Sequence, residues 1–287
     1  MQPTNRNRIA YLNGKWLDQS ELRLSVDDLG LRQGVTAVER LRTYQKNVFM
    51  LGAHLQRWKL TTKILQIDGL PSEASMVDLI AELLHLNDSL LEDAGDVGIT
   101  ILATPGVVGG LVPTFAMHLN WLDHDRIEQR RKRGQPLVIT NVIQQHDSTW
   151  PRSIKVRSRI HYYLADQAAR DCDPDAAGVL VDADQTITET SIANLAIVES
   201  GVIVSPLDHQ VLGGITQQVA ERIAQSLSIE WKKDRISRER FRKAAEILCM
   251  GTDGGIWFGE VVNHGTERPR VPGEVFLRLR KMFDEQR

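Results

Sequence analysis

Between residues 124 and 134 the chain carries almost only charged and polar side chains, ending in Arg130-Arg131-Lys132-Arg133. Such a stretch offers little to a hydrophobic core, so the apolar patterns on either side of it must close separately. We read 124–134 as a linker with a short solvated helix. It separates an N-terminal domain over 1–123 from a C-terminal domain over 135–287. A chain of 287 residues is long enough for two cores of ordinary size.

Each half has its own strands and helices. Residues 9–12 and 15–17 flank Asn13-Gly14, a strong hairpin signal. A short strand is expected over 22–26. A longer one over 35–44 turns at Gln45-Lys46-Asn47 into 48–50. A helix is predicted over 52–65, with Leu51, Leu55, Trp58, Thr62 and Leu65 in one stripe. A second, over 75–86, turns Val77, Ile80, Leu83 and Leu84 inward. Residues 97–103 and 114–121 are apolar strands. The second half reads as a strand over 136–142, a helix over 160–170, and a hairpin of 178–181 with 186–188. Another hairpin joins 195–198 to 202–204. A helix over 216–227, a buried strand over 247–250 and a helix starting at Pro272 follow, the last with Val275, Leu279 and Met282 inward. Strands and helices mix without regular alternation, which favours an α+β fold over a doubly wound sheet.

Composition narrows the function classes. With 42% hydrophobic and 25% charged residues the chain is that of a globular protein. A net charge of −2 gives no global attraction to nucleic acid or anionic lipid. The basic run lacks interleaved aromatics and reads as a solvated face, so no nucleic-acid partner is expected. No apolar run is long enough to span a bilayer, so no membrane partner is expected either. The polar stretch from Met1 to Arg8 lacks an apolar signal core. Cys172 and Cys249 read as inert structural thiols in a reducing compartment, and a cytoplasmic location is the expectation.

The chemistry-bearing residues form a series. Lys155 stands in Ser153-Ile154-Lys155-Val156-Arg157, and Glu189 follows in Thr188-Glu189-Thr190. Gly213-Gly214-Ile215-Thr216 opens an amphipathic helix, and Gly251-Thr252 closes an apolar strand. An amine, a carboxylate and two hydroxyl-bearing anion sites, in that order, suit pyridoxal 5′-phosphate (PLP). The amine would form the Schiff base, the carboxylate would face the pyridine nitrogen, and the helix start would hold the phosphate. A Schiff base needs a neutral amine, which burial near Arg152, Arg157 and Arg159 would favour. Taken singly, these are a surface lysine, a solvated carboxylate and an ordinary helix-start threonine. Together they point to one cofactor.

Further motifs extend the series. Leu12-Asn13-Gly14 stands in the opening hairpin, and Asp27-Asp28-Leu29-Gly30-Leu31-Arg32-Gln33-Gly34 is similar to Asp-Arg-Gly-Phe-x-Tyr-Gly. Glu39 matches the glutamate of the next strand motif, and His54-Leu55-Gln56-Arg57 matches His-x-x-Arg. With Lys155, Glu189, Asn194, Gly214-Ile215-Thr216 and Gly251-Thr252 in register, the chain resembles the class IV aminotransferases, PLP enzymes of fold type IV. That family includes branched-chain aminotransferases, D-amino-acid aminotransferases and 4-amino-4-deoxychorismate lyases. The resemblance runs from about residue 9 to residue 282. It implies a two-domain α+β architecture with the active site in the interdomain cleft, and a homodimer. Lys155 would be the catalytic lysine and Arg57 a phosphate ligand. Glu189, Asn194, Ile215, Thr216 and Thr252 would complete the cofactor set. Val38, Arg42 and Asp253 would lie on the substrate side. The implied substrates are an amino acid, branched-chain-like, and a 2-oxo acid. The alternatives are a lyase on a chorismate-derived amine and a PLP-binding protein without turnover.

Departures from the family pattern concentrate on the substrate side. The loop Leu102-Ala103-Thr104-Pro105-Gly106-Val107-Val108-Gly109-Gly110 lacks the arginine of the D-amino-acid enzymes and the lyases. Gln33 and Val38 replace aromatics, and Ile160 stands where branched-chain enzymes carry a tyrosine. Asp253 occupies the place of a small residue, and Gly254-Gly255-Ile256-Trp257-Phe258-Gly259 departs from Glu-Ile-x-Pro-Val. The cofactor half is kept, and the substrate half is altered.

Overall fold

The computed structural model describes residues 8–110, 112–262 and 271–287, so the polar segment 1–7 lies outside the described residues. The chain divides into two compact units, Met1–Leu122 with Ile154–Ser158, and Asp123–Ser153 with Arg159–Arg287. Two sheets, one per unit, give the mixed helix and strand content expected of α+β.

The first unit begins with β1 (Ile9–Leu12) and β2 (Lys15–Asp18). Asn13 (φ 43°) and Gly14 (φ 86°) join them in the left-handed pair that a tight hairpin requires. It continues through α1 (Leu29–Arg32), β3 (Ala37–Tyr44), β4 (Asn47–Val48), α2 (Leu51–Ile64), α3 (Glu73–Leu86), α4 (Asp88–Ala94), β5 (Val97–Thr104) and β6 (Thr114–Trp121). The strands form an antiparallel sheet in the order β2-β1-β6-β5-β3-β4. Side chains alternate across it. Ala37, Leu41, Ile99, Ile101 and Met117 share a core with Leu55 and Trp58 of α2 and Met76, Ile80 and Leu83 of α3. Burying each large apolar side chain there contributes roughly 1.5–3 kcal/mol. The opposite face carries Val38, Arg40 and Arg42, which pair in register with Leu102, Thr100 and Gly98, and these with Ala116, His118 and Asn120.

Two expectations fail in this unit. Residues 22–26 form no strand: a short 3-10 turn, Gln19–Glu21, is capped by Asp18, and Val26 is 74% exposed. The alternation there buries nothing. In α3 Val77 is 41% exposed and Met76 takes the inward position, in line with Ile80 and Leu83, which are buried as expected. The helix α4 is absent from the sequence reading.

The second unit contains α5 (His124–Arg133), β7 (Gln135–Ile143), α6 (Ile160–Arg170), β8 (Ala177–Val181), β9 (Asn194–Glu199), β10 (Val202–Ser205), α7 (Ile215–Ser226), β11 (Trp231–Lys233), α8 (Arg238–Lys243), β12 (Glu246–Gly251), β13 (Gly255–Val261) and α9 (Glu274–Glu285). Its seven strands lie in the order β11-β10-β9-β12-β13-β7-β8. The sheet is mixed, parallel at β10/β11, β13/β7 and β7/β8 and antiparallel elsewhere. The wholly buried β8 suits a sheet covered on both faces. α6 packs on β7 and β8, and α7 and α9 pack on β12 and β13.

The charged segment is the regular helix α5 and belongs to the second unit. It buries Ile127 and Arg131, whose guanidinium donates twice to the Gly254 carbonyl oxygen, at 3.2 and 2.9 Å. An arginine can be buried in this way when its donors are satisfied. The 186–188 limb pairs with β8 around Val181↔Ile187, where the Asp182 N–H donates to the Thr186 carbonyl oxygen and the Thr188 N–H to that of Leu180. On its other side Thr186 bridges Ser237 and the Ile187 N–H donates to the Ile236 carbonyl oxygen. The last helix starts at Glu274 behind Gly273, and Phe276 and Phe283 fill its inner face while Met282 is only half-buried. Residues Ile154–Ser158, which the sequence reading counted with the second half, group with the first unit.

Candidate active site

Backbone bonds hold Lys155 in the first unit. Val38 N–H donates to the Lys155 carbonyl oxygen at 3.0 Å, and Arg157 N–H donates to that of Thr36 at 3.0 Å. Between them Val156 stands opposite Ala37 in an antiparallel bridge. The Lys155 N–H donates to Thr61 Oγ1 of α2 at 3.1 Å. Directly opposed residues share a face, so Val156 joins Ala37, and Lys155 joins Val38 on the other face.

Arg57 lies one turn before Thr61 on the same helix. It grips Glu39 of β3 through Nε to Oε2 at 2.9 Å and Nη2 to Oε1 at 2.5 Å. His54 Nδ1 meets Glu39 Oε1 at 3.0 Å. All three side chains are buried. Burial would raise the Glu39 carboxyl, but the Arg57 charge and the bonds from His54 and Arg57 hold it well below its ordinary range. Burial lowers the His54 pKa, against the Glu39 bond, with the Arg57 and Lys155 charges adding to the lowering. His54 is therefore a neutral ring donating Nδ1–H, and Arg57 is held in a fixed plane.

In the second unit donors converge on Glu189 from several elements. Tyr162 Oη donates to Oε1 at 2.6 Å and Gln144 Nε2 at 2.9 Å. Asn194 Nδ2 donates to Oε2 at 3.2 Å and the Leu212 N–H at 3.1 Å. Burial, followed by the Glu189 charge and bond, raises the Tyr162 phenol well above its ordinary value, so it stays a donor. Asn194 Nδ2 also donates to the Leu212 carbonyl oxygen at 2.8 Å. The carboxylate is thereby tied to the loop that opens α7.

That helix starts at Ile215 with Gly214 as its N-cap, which has no side chain to cap the first N–H groups. Ile215, Thr216 and Gln217 are buried there. Thr252 and Asp253 lie in the turn between β12 and β13 and are half-buried, and the Asp253 charge reaches Arg130 of α5.

Other expected positions resolve differently. Arg42 is 4% exposed, its guanidinium 3.9 Å from the centre of the Tyr44 ring and 3.8 Å from Asp96, with Nε donating to the Thr43 carbonyl oxygen. Of the three arginines expected near Lys155, Arg152 is locked on Asp182 in the second unit by two 2.9 Å bonds. Arg159 bonds the Ser191 carbonyl oxygen and lies over the Tyr162 ring. Arg157 alone of them shares the unit of Lys155. Ile160 is 75% exposed, and the tyrosine that reaches Glu189 comes two residues later. Gln144, Tyr162 and Thr61 were missed. A helix register drawn from Ile160 would have placed Tyr162 on another face; Gln144, at the end of β7, gave no signal.

These residues fit PLP by their chemistry. A Cβ on Gly214 would fall 1.8 Å from Asn194 Oδ1, so only glycine lets the helix opening meet that amide. The uncapped first turn of α7 is a ready anion site.

One unit thus carries an anchored lysine, and the other a carboxylate braced beside a helix start. The family model for amino-transferase class IV matches residues 36–259, and the chain belongs to that family of PLP-dependent transaminases. It is 25% identical over 260 residues to a D-alanine aminotransferase of Staphylococcus haemolyticus, covering 86% of each chain. A Methanocaldococcus jannaschii protein described as a branched-chain-amino-acid aminotransferase is 28% identical over 303 residues, covering 96% of each. The aminodeoxychorismate lyase of Bacillus subtilis is 27% identical, covering 83% of this chain and 81% of its own. Among solved structures the Escherichia coli branched-chain amino acid aminotransferase superposes with a TM-score of 0.88 at 20% identity, over 98% of this chain and 94% of that one. The branched-chain aminotransferase of Thermoproteus uzoniensis, solved with norvaline, gives 0.85 at 22% identity, with the same coverage of both chains. A further branched-chain enzyme, solved with pyridoxamine 5′-phosphate, gives 0.84 at 22% identity and again the same coverage.

Proposed function

We propose that the enzyme moves an amino group between an aliphatic, branched-chain-like amino acid and a 2-oxo acid. The observation that carries this is the pairing of Lys155 with Val38. It sets the amine-bearing residue on the sheet face that holds the apolar row Val38, Leu102 and Ala116. Such a row suits an aliphatic side chain.

In this reading the Lys155 amine would hold the cofactor and would also move the proton at the substrate Cα. Bound PLP supplies an electron-poor ring that stabilises negative charge at that carbon. Glu189 keeps a proton on the ring nitrogen, and Asn194, Gln144 and Tyr162 orient its carboxylate. Arg57, the N–H groups of Ile215 and Thr216, and the hydroxyls of Thr216 and Thr252 would bind the phosphate. Asp253 is kept as a substrate-side residue. The working enzyme is taken as a homodimer.

The test is the absorbance of protein loaded with PLP, before and after a panel of L- and D-amino acids. Release of pyridoxamine 5′-phosphate with leucine, isoleucine or valine supports the proposal. The likeness to the Bacillus subtilis lyase favours a second reading, elimination from a chorismate-derived amine. A lysine-bound chromophore that no amino acid converts would favour it. No chromophore at all would reject both.

A further inference from the structure

The sheet face that carries Lys155 also carries a cationic set. Arg40, Thr100 and His118 stand in one row across β3, β5 and β6, next to the row of Val38. Arg40 is therefore about 7 Å along β3 from the residue that opposes Lys155, at roughly 3.4 Å per residue. Arg157 is on the same face, since it alternates with Val156 just as Lys155 does. The acidic residue of β3, Glu39, is turned to the opposite face with Arg57.

Arg40 is positioned by its surroundings. Its Nη1 donates to Thr100 Oγ1 at 3.1 Å, and the same oxygen accepts from Asn120 Nδ2 at 2.7 Å. The guanidinium leans away from the Val38 row toward that of Arg42, and covers Gly98 so closely that a Cβ there would meet it at 2.5–3.0 Å. The His118 pKa is lowered by burial first and then by the charges of Arg40, Arg157 and Arg8, so the positive potential here comes from the arginines. A planar fork fixed over a glycine, in a field of like sign, is suited to a carboxylate.

We propose that Arg40, assisted by Arg157, is a substrate-recognition residue that binds a carboxylate of the amino acid and of its 2-oxo partner. The inference rests on the transamination reading above and adds a specificity residue to it. The carboxylate is either the one common to all amino acids or the side-chain one of an acidic substrate, and the experiment separates these.

The PLP-loaded enzyme is titrated calorimetrically with glutarate and with 4-methylvalerate, neither of which is turned over. Wild type is compared with Arg40→Met, Arg40→Lys and Gly98→Ala. Arg40→Met is expected to weaken glutarate binding at least tenfold, with partial recovery in Arg40→Lys. Gly98→Ala is expected to weaken it too, by displacing the guanidinium without removing its charge. If 4-methylvalerate weakens equally, Arg40 holds the common carboxylate; if only glutarate weakens, it holds the side-chain one. Unchanged binding of both in Arg40→Met, or no binding of either by wild type, overturns the proposal. Should Arg40→Met fail to fold, the other two variants decide it by the same criterion. Arg40-dependent binding in an enzyme that converts no amino acid would keep the recognition site and reject the transamination reading.

Discussion

Arg57 and Glu39 meet through two parallel hydrogen bonds, at 2.9 and 2.5 Å, with both side chains almost wholly withdrawn from water. Removing one charge from such a pair strands the other. Glu39→Gln is therefore expected to destabilise the protein by about 3–5 kcal/mol in urea unfolding. A loss under about 1 kcal/mol, the range of exposed pairs, would show that the Arg57 plane is held by something else.

The same pair sets an acid response. In the fold the Glu39 carboxyl sits below its ordinary value of 4.5, because the Arg57 charge and bonds outweigh burial. A group with a depressed folded pKa adds stability in full above its unfolded value and loses it as pH falls toward the folded one. Wild-type stability should therefore drop from about pH 4.5 downward, by up to about 1.4 kcal/mol per pH unit from this group. Glu39→Gln should lose less over that window. Equal slopes in the two proteins would contradict the assignment.

Lys155→Ala should fold. The bonds that tie this segment to β3 and α2 come from backbone N–H and C=O groups, which alanine keeps. Covalent capture of PLP requires the amine, so the visible chromophore should vanish. Turnover should fall by about a thousandfold or more, equivalent to roughly 4 kcal/mol of barrier. Normal turnover in a well-folded Lys155→Ala protein would remove Lys155 from the chemistry.

The two glycines before α7 should respond differently. A Cβ on Gly213 meets nothing within 4 Å, whereas one on Gly214 collides with Asn194. Without cofactor, Gly214→Ala should cost about 1–3 kcal/mol, typical of overpacking. Gly213→Ala should stay within about 0.5 kcal/mol. Thermal unfolding of the two apo variants checks this. Equal costs would mean that the Asn194 amide does not pack against the helix opening.

Where side chains repeat with one period over many residues, the sequence was readable: β3, α2, β6 and α6 lie within about two residues of their predicted places. Short elements were not. The three-residue β11 and the six-residue α8 carry too few apolar positions to register. β13 was obscured because its glycines read as a departure from a loop motif. The candidates Lys155, Glu189 and Arg57 stand out in the sequence because their motifs have fixed spacing. Partners such as Gln144, Tyr162 and Thr61 come from distant elements, and only tertiary packing brings them in. The charged residues of 124–134 were read as solvated because the burial of Arg131 depends on the Gly254 carbonyl oxygen, far along the chain.

Arg42 and Arg40 share a strand face, yet their surroundings separate their roles. Arg42 is stacked 3.9 Å from the Tyr44 ring centre, its Nε is spent on the Thr43 carbonyl oxygen, and Asp96 lies 3.8 Å from Nη2. A guanidinium with its plane covered by an aromatic ring and its fork turned to backbone and carboxylate works as a structural brace. Arg42→Met should therefore lower stability by about 1–3 kcal/mol, from the lost charged hydrogen bond and stacking. It should leave KM for amino acid and 2-oxo acid within about twofold, a difference of roughly 0.4 kcal/mol. A KM raised tenfold with unchanged stability would return Arg42 to the substrate side, where the sequence placed it. The opposite response of Arg40→Met, tested in the same assay, guards against a general loss of affinity being taken for recognition.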